Sequence, residues 1–162
     1  MYNFIQIYLS SQNLSAILYC MRTAEQIGNT SEHCTDITIQ EVQSYLDKIR
    51  PDIVNGKFTI SQENDKNRSF LEGSEYLIKN ERIKSILLEL TYKDFCWYQK
   101  GEKAGDLLFI FRYKGKFIKF EKGDPKEDIL IIYIKTNKKE KGTLVLSFHP
   151  SDNPDELSPL FT

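Results

Sequence analysis

The chain has 162 residues, of which 40% are hydrophobic and 28% charged, so its composition is that of a globular protein rather than a disordered chain. The net charge of −1 gives no overall sign of a nucleic-acid partner. Three cysteines, at spacings unlike those of metal-binding pairs, argue against a disulfide framework and predict a reducing, cytoplasmic location. Polar residues interrupt the first 21 positions, so we expect neither a secretory signal peptide nor a membrane span there.

The N-terminal segment, residues 1–35, differs from the rest of the chain. It contains no lysine and a single arginine, Arg22. We expect this segment to lie outside one domain formed by residues 36–162, and its role is uncertain. An ordinary N-terminal helix is the alternative interpretation.

A strong helix start follows this segment. Thr38 and Glu41 form a T-x-x-E capping box, in which each residue satisfies a free backbone amide of the other. Apolar residues then recur at helical spacing over positions 42–53. We expect Pro51 to kink or end this helix, and Gly56 to close it.

The next segments alternate between polar and apolar character. Residues 58–61 are typical of a short strand, residues 62–68 of a polar loop, and residues 70–77 of a short helix. From Asn80 onward, apolar residues spaced i, i+3, i+4 and i+7 predict a longer helix with one buried face. A loop rich in Gly and Lys is expected over residues 99–105.

After Asp106 the hydrophobic period changes from 3.6 to about 2, which predicts strands. We predict strands over 107–113 and 116–122 joined by a Lys114-Gly115 turn, a strand over 129–136, a basic turn over 137–142 and a last strand over 143–149. Short links between consecutive strands imply an antiparallel meander. The predicted fold class is therefore α+β, with N-terminal helices packed on a C-terminal antiparallel sheet.

Positive charge is concentrated in the predicted sheet. Residues 112–141 contain ten Lys and Arg against five Asp and Glu. A basic sheet on an acidic body attracts anions, although lysines also occur on exposed strands for other reasons. The residues that can hold phosphate are Arg112, Lys116, Lys119 and Lys135, and those that can stack on bases are Trp97, Tyr113, Phe117 and Tyr133.

His149 is the one residue of the C-terminal half whose usual pKa suits proton transfer at neutral pH. Cleavage of RNA without a metal needs a base for the 2′-hydroxyl, an acid for the leaving oxygen and cations near phosphorus. No metal site or other cofactor is predicted, because His33 and His149 are far apart in sequence. A hydrolase pair of Cys96 with His149 is less favoured, since Cys96 lies among aromatic residues. The alternative for His149 is a surface residue that ends a strand before Pro150.

Three segments resemble the motility quorum-sensing regulator (MqsR) type toxins, which pair with an antitoxin and share the small RelE-like ribonuclease fold. They are ILLELTYKDFC at 86–96, IYIK at 132–135 and LVLSFHP at 144–150. The resemblance covers roughly residues 38–162 and rests on the order and spacing of these motifs. It implies sequence-selective, ribosome-independent cleavage of mRNA.

Carried over residue by residue, the resemblance makes Tyr133 an active-site tyrosine and Lys135 the lysine two positions after it. His149 falls where well-known members carry a lysine. Trp97 occupies another lysine position of the family, for which Lys100 is an approximate substitute. A strand glutamine of the family has no counterpart in residues 107–113.

The sequence thus predicts a cytoplasmic, toxin-type endoribonuclease (mRNA interferase) that cleaves mRNA through 2′-hydroxyl attack, without metal, and is neutralised by a nearby-encoded antitoxin. The predicted catalytic residues are His149, Tyr133 and Lys135. The predicted substrate-binding residues are Arg112, Lys100, Lys116, Lys119 and Trp97. The alternative is a non-catalytic RNA- or protein-binding module on the same fold.

Overall fold

A computed structural model describes residues 32–73, 75–121 and 124–162. Within this part the fold is α+β, and the helices precede all but one short strand. The helices are α1 (Ile39–Val54), α2 (Asp65–Glu72) and α3 (Asn80–Glu89). The strands are β1 (Phe58–Ile60), β2 (Phe95–Lys100), β3 (Leu107–Glu121), β4 (Asp124–Lys139) and β5 (Gly142–Pro150), and short 3₁₀ helices cover Tyr92–Asp94 and Pro154–Glu156. No helix in these ranges is long and apolar enough to cross a membrane.

Helix α1 begins at the predicted capping box. The Thr38 hydroxyl accepts a bond from the Glu41 amide at 3.2 Å, and the Glu41 carboxylate accepts one from the Thr38 amide at 2.8 Å. Pro51 does not end the helix, which was one of its two predicted effects, because one further turn follows it. That turn is held by Ile53, which is fully buried in the core, and by Asn55, whose amide and side chain both bond to the Pro51 carbonyl.

Helix α2 lies several residues earlier than predicted. The Asn64 side chain accepts bonds from the amides of Lys66 and Asn67 and so starts the helix inside the predicted loop. Gly73 follows its last residue. Helix α3 begins at Asn80 as predicted and buries Ile83, Ile86 and Leu87.

The strand order is β1-β5-β4-β3-β2. Strands β2 to β5 form an antiparallel meander, the arrangement predicted for consecutive strands. The strand β2 was not predicted, and the two strands expected over 107–113 and 116–122 are the single strand β3. Strand β1, however, runs parallel to β5, with Phe58 opposite Thr143, so the sheet is mixed and the expectation of a purely antiparallel sheet is wrong. The chain joins these two strands by a long crossover that includes α2 and α3, and such a connection allows parallel pairing.

The predicted turn at Lys114-Gly115 is also wrong, because β3 runs through it and pairs with β4 as far as Glu121. Gly115 permits a close contact here rather than a turn. A Cβ atom at this position would lie 2.4 Å from Cε1 of the Tyr113 ring. The result is a ribbon, residues 114–121 with 124–131, that extends beyond the registers of β2 and β5 and is bridged along β3 by Tyr76.

The two sides of the sheet have different neighbours. Helices α1 to α3 pack on one side, whose largest fully buried side chains include Phe95, Phe111, Ile132, Ile134 and Phe148. We call the other side the distal face. Its side chains alternate with the core residues along the strands, and they include Trp97, Ile110, Arg112, Ile131, Tyr133, Lys135 and His149.

The C-terminal segment, residues 151–162, crosses the distal face from β4 to β2. The Ser151 amide bonds to the Ile131 carbonyl, and the Leu160 amide bonds to the Phe95 carbonyl at the far edge. Between them, Leu157 is 2% exposed and packs in a small apolar cluster on this face.

The compact unit begins at Glu32, four residues before the predicted boundary. Cys34 exchanges two backbone hydrogen bonds with Tyr98 on the edge of β2, and the Tyr98 hydroxyl donates to Asp36. The expectation that the whole of residues 1–35 lies outside the domain is therefore wrong for residues 32–35. The rest of that segment, with its alternative interpretation as a helix, lies outside the described residues.

Candidate functional site

Three predicted residues lie side by side across three neighbouring strands of the distal face. Arg112 of β3 is opposite Tyr133 of β4, and Tyr133 is opposite His149 of β5. The rings of Tyr133 and His149 are 5.6 Å apart between centroids and inclined by 28°. Lys135 follows Tyr133 by two residues on β4 and therefore points to the same side. We refer to Arg112, Tyr133, Lys135 and His149 as the polar row.

Core residues fix the orientation of the polar row. Ile132, Ile134 and Phe148 alternate with its members and are fully buried against the helices. A register shift of one residue would turn these apolar side chains to the distal face and the polar row into the core. The hydrophobic pattern of β4 and β5 therefore determines where the polar side chains point.

The two cations of the polar row have no acidic partner in the part of the chain that the structure describes. Arg112 and Lys135 form no ion pair with any residue in the described part of the chain, and the buried Nε of Arg112 has no hydrogen-bond partner there. Burial lowers the pKa of the Lys135 ammonium. Because an unpaired, partly buried cation is unfavourable, this arrangement suits an anionic ligand.

The other two members of the polar row can handle protons. His149 Nδ1 lies 2.9 Å from the carbonyl oxygen of Pro150, which can only accept, so Nδ1 carries a hydrogen and the neutral ring keeps a lone pair on Nε2. Burial, and then the neighbouring Cys96, raises the pKa of Tyr133 to about 12. The Tyr133 hydroxyl therefore stays protonated at neutral pH and can donate a hydrogen bond.

The thiol of Cys96 is a packed group. It is 2% exposed, in a cluster with Trp97, Ile110 and Leu157. Burial raises its pKa to about 12, against the lowering effect of the nearby Arg112 charge. A thiolate nucleophile paired with His149 therefore has no support, as the sequence interpretation expected.

Trp97 lies on the distal face beside the polar row, opposite Ile110 on β3. Its ring stacks on His33 with 4.0 Å between centroids. Gln99 follows two residues later on the same side, and both Trp97 Nε1 and Gln99 Oε1 are buried without a hydrogen-bond partner among the described residues. Gln99 and His33 were not predicted as site residues. Strand alternation from Trp97 indicates Gln99, whereas no local pattern indicates His33.

The other predicted cations do not join the polar row. Lys119 faces the helix side, where it pairs with Glu75 at 2.9 Å. Lys116 lies out on the ribbon and pairs with Glu127 at 2.7 Å. Alternation places Lys100 on the side of Tyr98, whose ring packs in the helix-side core. Much of the predicted positive charge of the sheet is thus taken up by ion pairs, those of Lys116, Lys119, Lys126, Lys138 and Lys139.

Among the described residues, no three His, Cys, Asp or Glu side chains form a group that could hold a metal ion. Comparison of the chain with protein-family models, with curated proteins and with solved structures finds no match. What the molecule does is therefore inferred from the chemistry of the distal face.

Proposed function

We propose that the protein is a toxin-type endoribonuclease of RelE-like fold that cleaves mRNA through attack of the 2′-hydroxyl, without metal. The observation that supports this most is the polar row: a histidine, a protonated tyrosine and two cations that have no carboxylate partner among the described residues, side by side on one face. Metal-free RNA cleavage needs a base, an acid and cations near phosphorus, and the polar row contains a side chain suited to each of these roles.

The proposed reaction proceeds in one displacement at phosphorus. The 2′-oxygen attacks, the bond from phosphorus to the 5′-oxygen breaks, and a 2′,3′-cyclic phosphate forms. Nε2 of His149 takes the proton of the 2′-hydroxyl, while Tyr133 positions or protonates the leaving 5′-oxygen. Lys135 and Arg112 stabilise the charge that develops on the phosphorane oxygens.

Arg112, Tyr133 and Lys135 are half-buried, whereas His149 is only 7% exposed. Leu157 of the C-terminal segment belongs to the small apolar cluster against which Tyr133 packs. We therefore propose that substrate enters beside the two cations and that a local rearrangement brings the 2′-hydroxyl to the buried His149.

The pairing with an antitoxin follows only from the resemblance to the MqsR-type toxins. The resemblance and the site are compatible, because the matched positions Tyr133, Lys135 and His149 belong to the polar row. A small protein encoded beside this one, able to bind it and abolish cleavage, is the expected antitoxin.

The test is an RNA digestion in excess EDTA. Cleavage should persist, since the proposed nucleophile is the 2′-hydroxyl, and products should end in a 2′,3′-cyclic or 3′-phosphate. DNA and 2′-O-methyl RNA of the same sequence should stay intact. Loss of cleavage in EDTA, or products with 5′-phosphates, contradicts the proposed mechanism.

A non-catalytic RNA- or protein-binding module is the second candidate. The low exposure of His149 and the tryptophan at position 97, where the MqsR-type toxins have a lysine, favour it. Growth arrest on induction of the wild-type gene but not of a His149→Ala gene favours the enzyme. RNA binding without any cleavage product favours the module.

A further inference from the structure

Trp97 lies at the centre of an unsatisfied polar patch beside the polar row. Nε1 of Trp97, Oε1 of Gln99 and Nε of Arg112 are all buried without hydrogen-bond partners in the described ranges. Trp97 and Gln99 are 8% and 4% exposed, so water does not compensate them freely. Buried polar atoms without partners are costly, and three on one face call for a ligand.

His33 occupies the place that such a ligand would take. Its imidazole, a flat heteroaromatic ring, stacks on the Trp97 indole at 4.0 Å and 21°. The side chain is exposed, and the segment that carries it is tied to β2 through the Cys34–Tyr98 backbone pair. The imidazole can therefore swing away without disturbing the core.

A nucleotide meets each of these requirements. Its base can stack on the indole in place of His33. The acceptor atoms of its base or phosphate suit the N–H groups of Trp97 and Arg112, and an amino or ring N–H of its base suits the oxygen of Gln99. A bare phosphate offers no aromatic ring, and an apolar ligand leaves all three polar atoms unsatisfied.

We propose that Trp97, Gln99 and Arg112 form a binding pocket for one nucleotide of single-stranded RNA, and that His33 occludes it in the free protein. This inference rests on the proposed function in one respect, since it takes the bound nucleotide to be a neighbour of the scissile one. Trp97 is opposite Ile110, which in turn is opposite Lys135, so the pocket lies about two strand spacings, roughly 10 Å, from that lysine. Adjacent nucleotides of a single strand span such a distance.

Trp97 is the single tryptophan of the chain, so its fluorescence reports directly on the pocket. We would titrate the protein with short single-stranded RNA carrying 2′-O-methyl groups, which cannot be cleaved by 2′-hydroxyl attack. Stacking of a base should quench the emission saturably. Trp97→Ala, followed by calorimetry, should weaken binding by roughly 5- to 150-fold, the usual contribution of one stacked base.

Two further variants separate the pocket from a general effect on the fold. His33→Ala should bind RNA more tightly, by roughly two- to tenfold, because the competing ring is gone. Glu32→Ala, one residue earlier and also exposed, is the matched control and should bind as wild type. Gln99→Leu should keep the quenching but change the order of affinity among oligomers that differ in one base.

The outcomes distinguish this inference from the proposed function. Quenching with the expected variant effects, in a protein that never cleaves RNA, supports the pocket and overturns the nuclease. Cleavage in which Trp97 emission does not respond and Trp97→Ala binds normally overturns the pocket and leaves the nuclease standing. If Gln99→Leu fails to fold, the titrations of the wild type and of His33→Ala still test the pocket. If neither protein binds RNA, the pocket is overturned.

Discussion

The two faces of the sheet differ in whether their buried polar groups have hydrogen-bond partners among the described residues. On the helix side, the buried hydroxyls of Tyr45 and Thr136 bond to each other at 2.8 Å. Asn67, which is fully buried at the edge of β5, uses its amide for three bonds to backbone groups. On the distal face, Trp97 and Gln99 bury polar atoms that have no partner in the described part of the chain.

This difference in hydrogen bonding indicates that one face of the sheet contributes mainly to stability and the other mainly to ligand binding. Polar groups that are fully satisfied inside the fold hold it together but have nothing left for a ligand. Those left unsatisfied reduce stability, and such local conflicts are typical of functional sites. The helix side should therefore respond to mutation mainly through folding, and the distal face mainly through activity and binding.

Adjacent residues of β5 give the sharpest test, with the largest expected effects. Phe148 is fully buried on the helix side, and His149 belongs to the polar row. Phe148→Ala should lower the free energy of unfolding by about 3–5 kcal/mol through loss of a core ring. His149→Ala should leave thermal unfolding nearly unchanged while slowing RNA cleavage by about 10²–10⁴-fold, the usual contribution of a positioned acid or base.

Calorimetry and an initial-rate assay on the two variants check this contrast. A similar loss of unfolding free energy in both variants would mean that His149, which is 7% exposed, is a structural residue. Full cleavage activity in His149→Ala would move the role of proton carrier to Tyr133.

Two buried amides on opposite sides of the sheet provide the next comparison. Asn67 donates to the carbonyls of Ser61 and Leu146 and accepts from the amide of Phe148. Asn67→Ala leaves these backbone groups without hydrogen-bond partners and should destabilise the protein by about 1–3 kcal/mol. Gln99→Leu removes an unsatisfied oxygen instead, so its urea-unfolding midpoint should equal or exceed that of the wild type. A loss in Gln99→Leu as large as that in Asn67→Ala would show that Gln99 is satisfied in solution.

Much of the fold could be predicted where neighbouring residues determine it. The start of α1 depends on Thr38 and Glu41, three residues apart, and the face of α3 on helical spacing. The errors at Pro51 and Gly115 have a different cause. The helix continues past Pro51 because Ile53 packs in the core, and β3 continues through Gly115 because it pairs with β4 as far as Glu121. Sequence spacing does not contain these contacts.

The site was predictable only within single strands. Side chains two residues apart on a strand point to the same side, so the spacing of Tyr133 and Lys135 is enough to place them together on β4. The pairing of Arg112, Tyr133 and His149 depends on strand registers, which the misplaced hairpin turn had obscured. His33 is 64 residues from Trp97 in sequence, so their stacking could not be read from any local pattern.

Substitution of Lys135 should have a smaller effect on the free energy of unfolding, opposite in sign to that of Asn67→Ala. Burial lowers the pKa of its ammonium, so the folded state disfavours the charged form. Lys135→Met should therefore stabilise the protein, by about 0.5–2 kcal/mol, while impairing cleavage. Lys114 is exposed and lies on the same face of the sheet as Lys135, so Lys114→Met is the control and should have little effect on stability.

The pH dependence of this stabilisation has a definite sign. The penalty on the buried ammonium is complete below its lowered folded-state pKa and disappears as pH rises past the ordinary value for lysine, about 10.4. The stability gap between Lys135→Met and wild type should thus be constant at neutral pH and narrow in alkaline solution. A gap that widens with pH contradicts a desolvated, unpaired Lys135.

The smallest expected effects concern the salt dependence of RNA binding, which compares cations on the two faces. Each phosphate neutralised by a cation releases counterions, so removing one true contact should lower the slope of log K against log salt concentration by roughly 0.7 for a single strand. Arg112→Ala and Lys135→Ala should each show this change, because both cations lack an acidic partner in the described residues. Lys119→Ala should not, because Lys119 lies on the helix side and is already paired with Glu75. Equal changes in all three variants would mean that RNA responds to the overall charge of the sheet and not to the distal face, and the functional distinction between the two faces would then be lost.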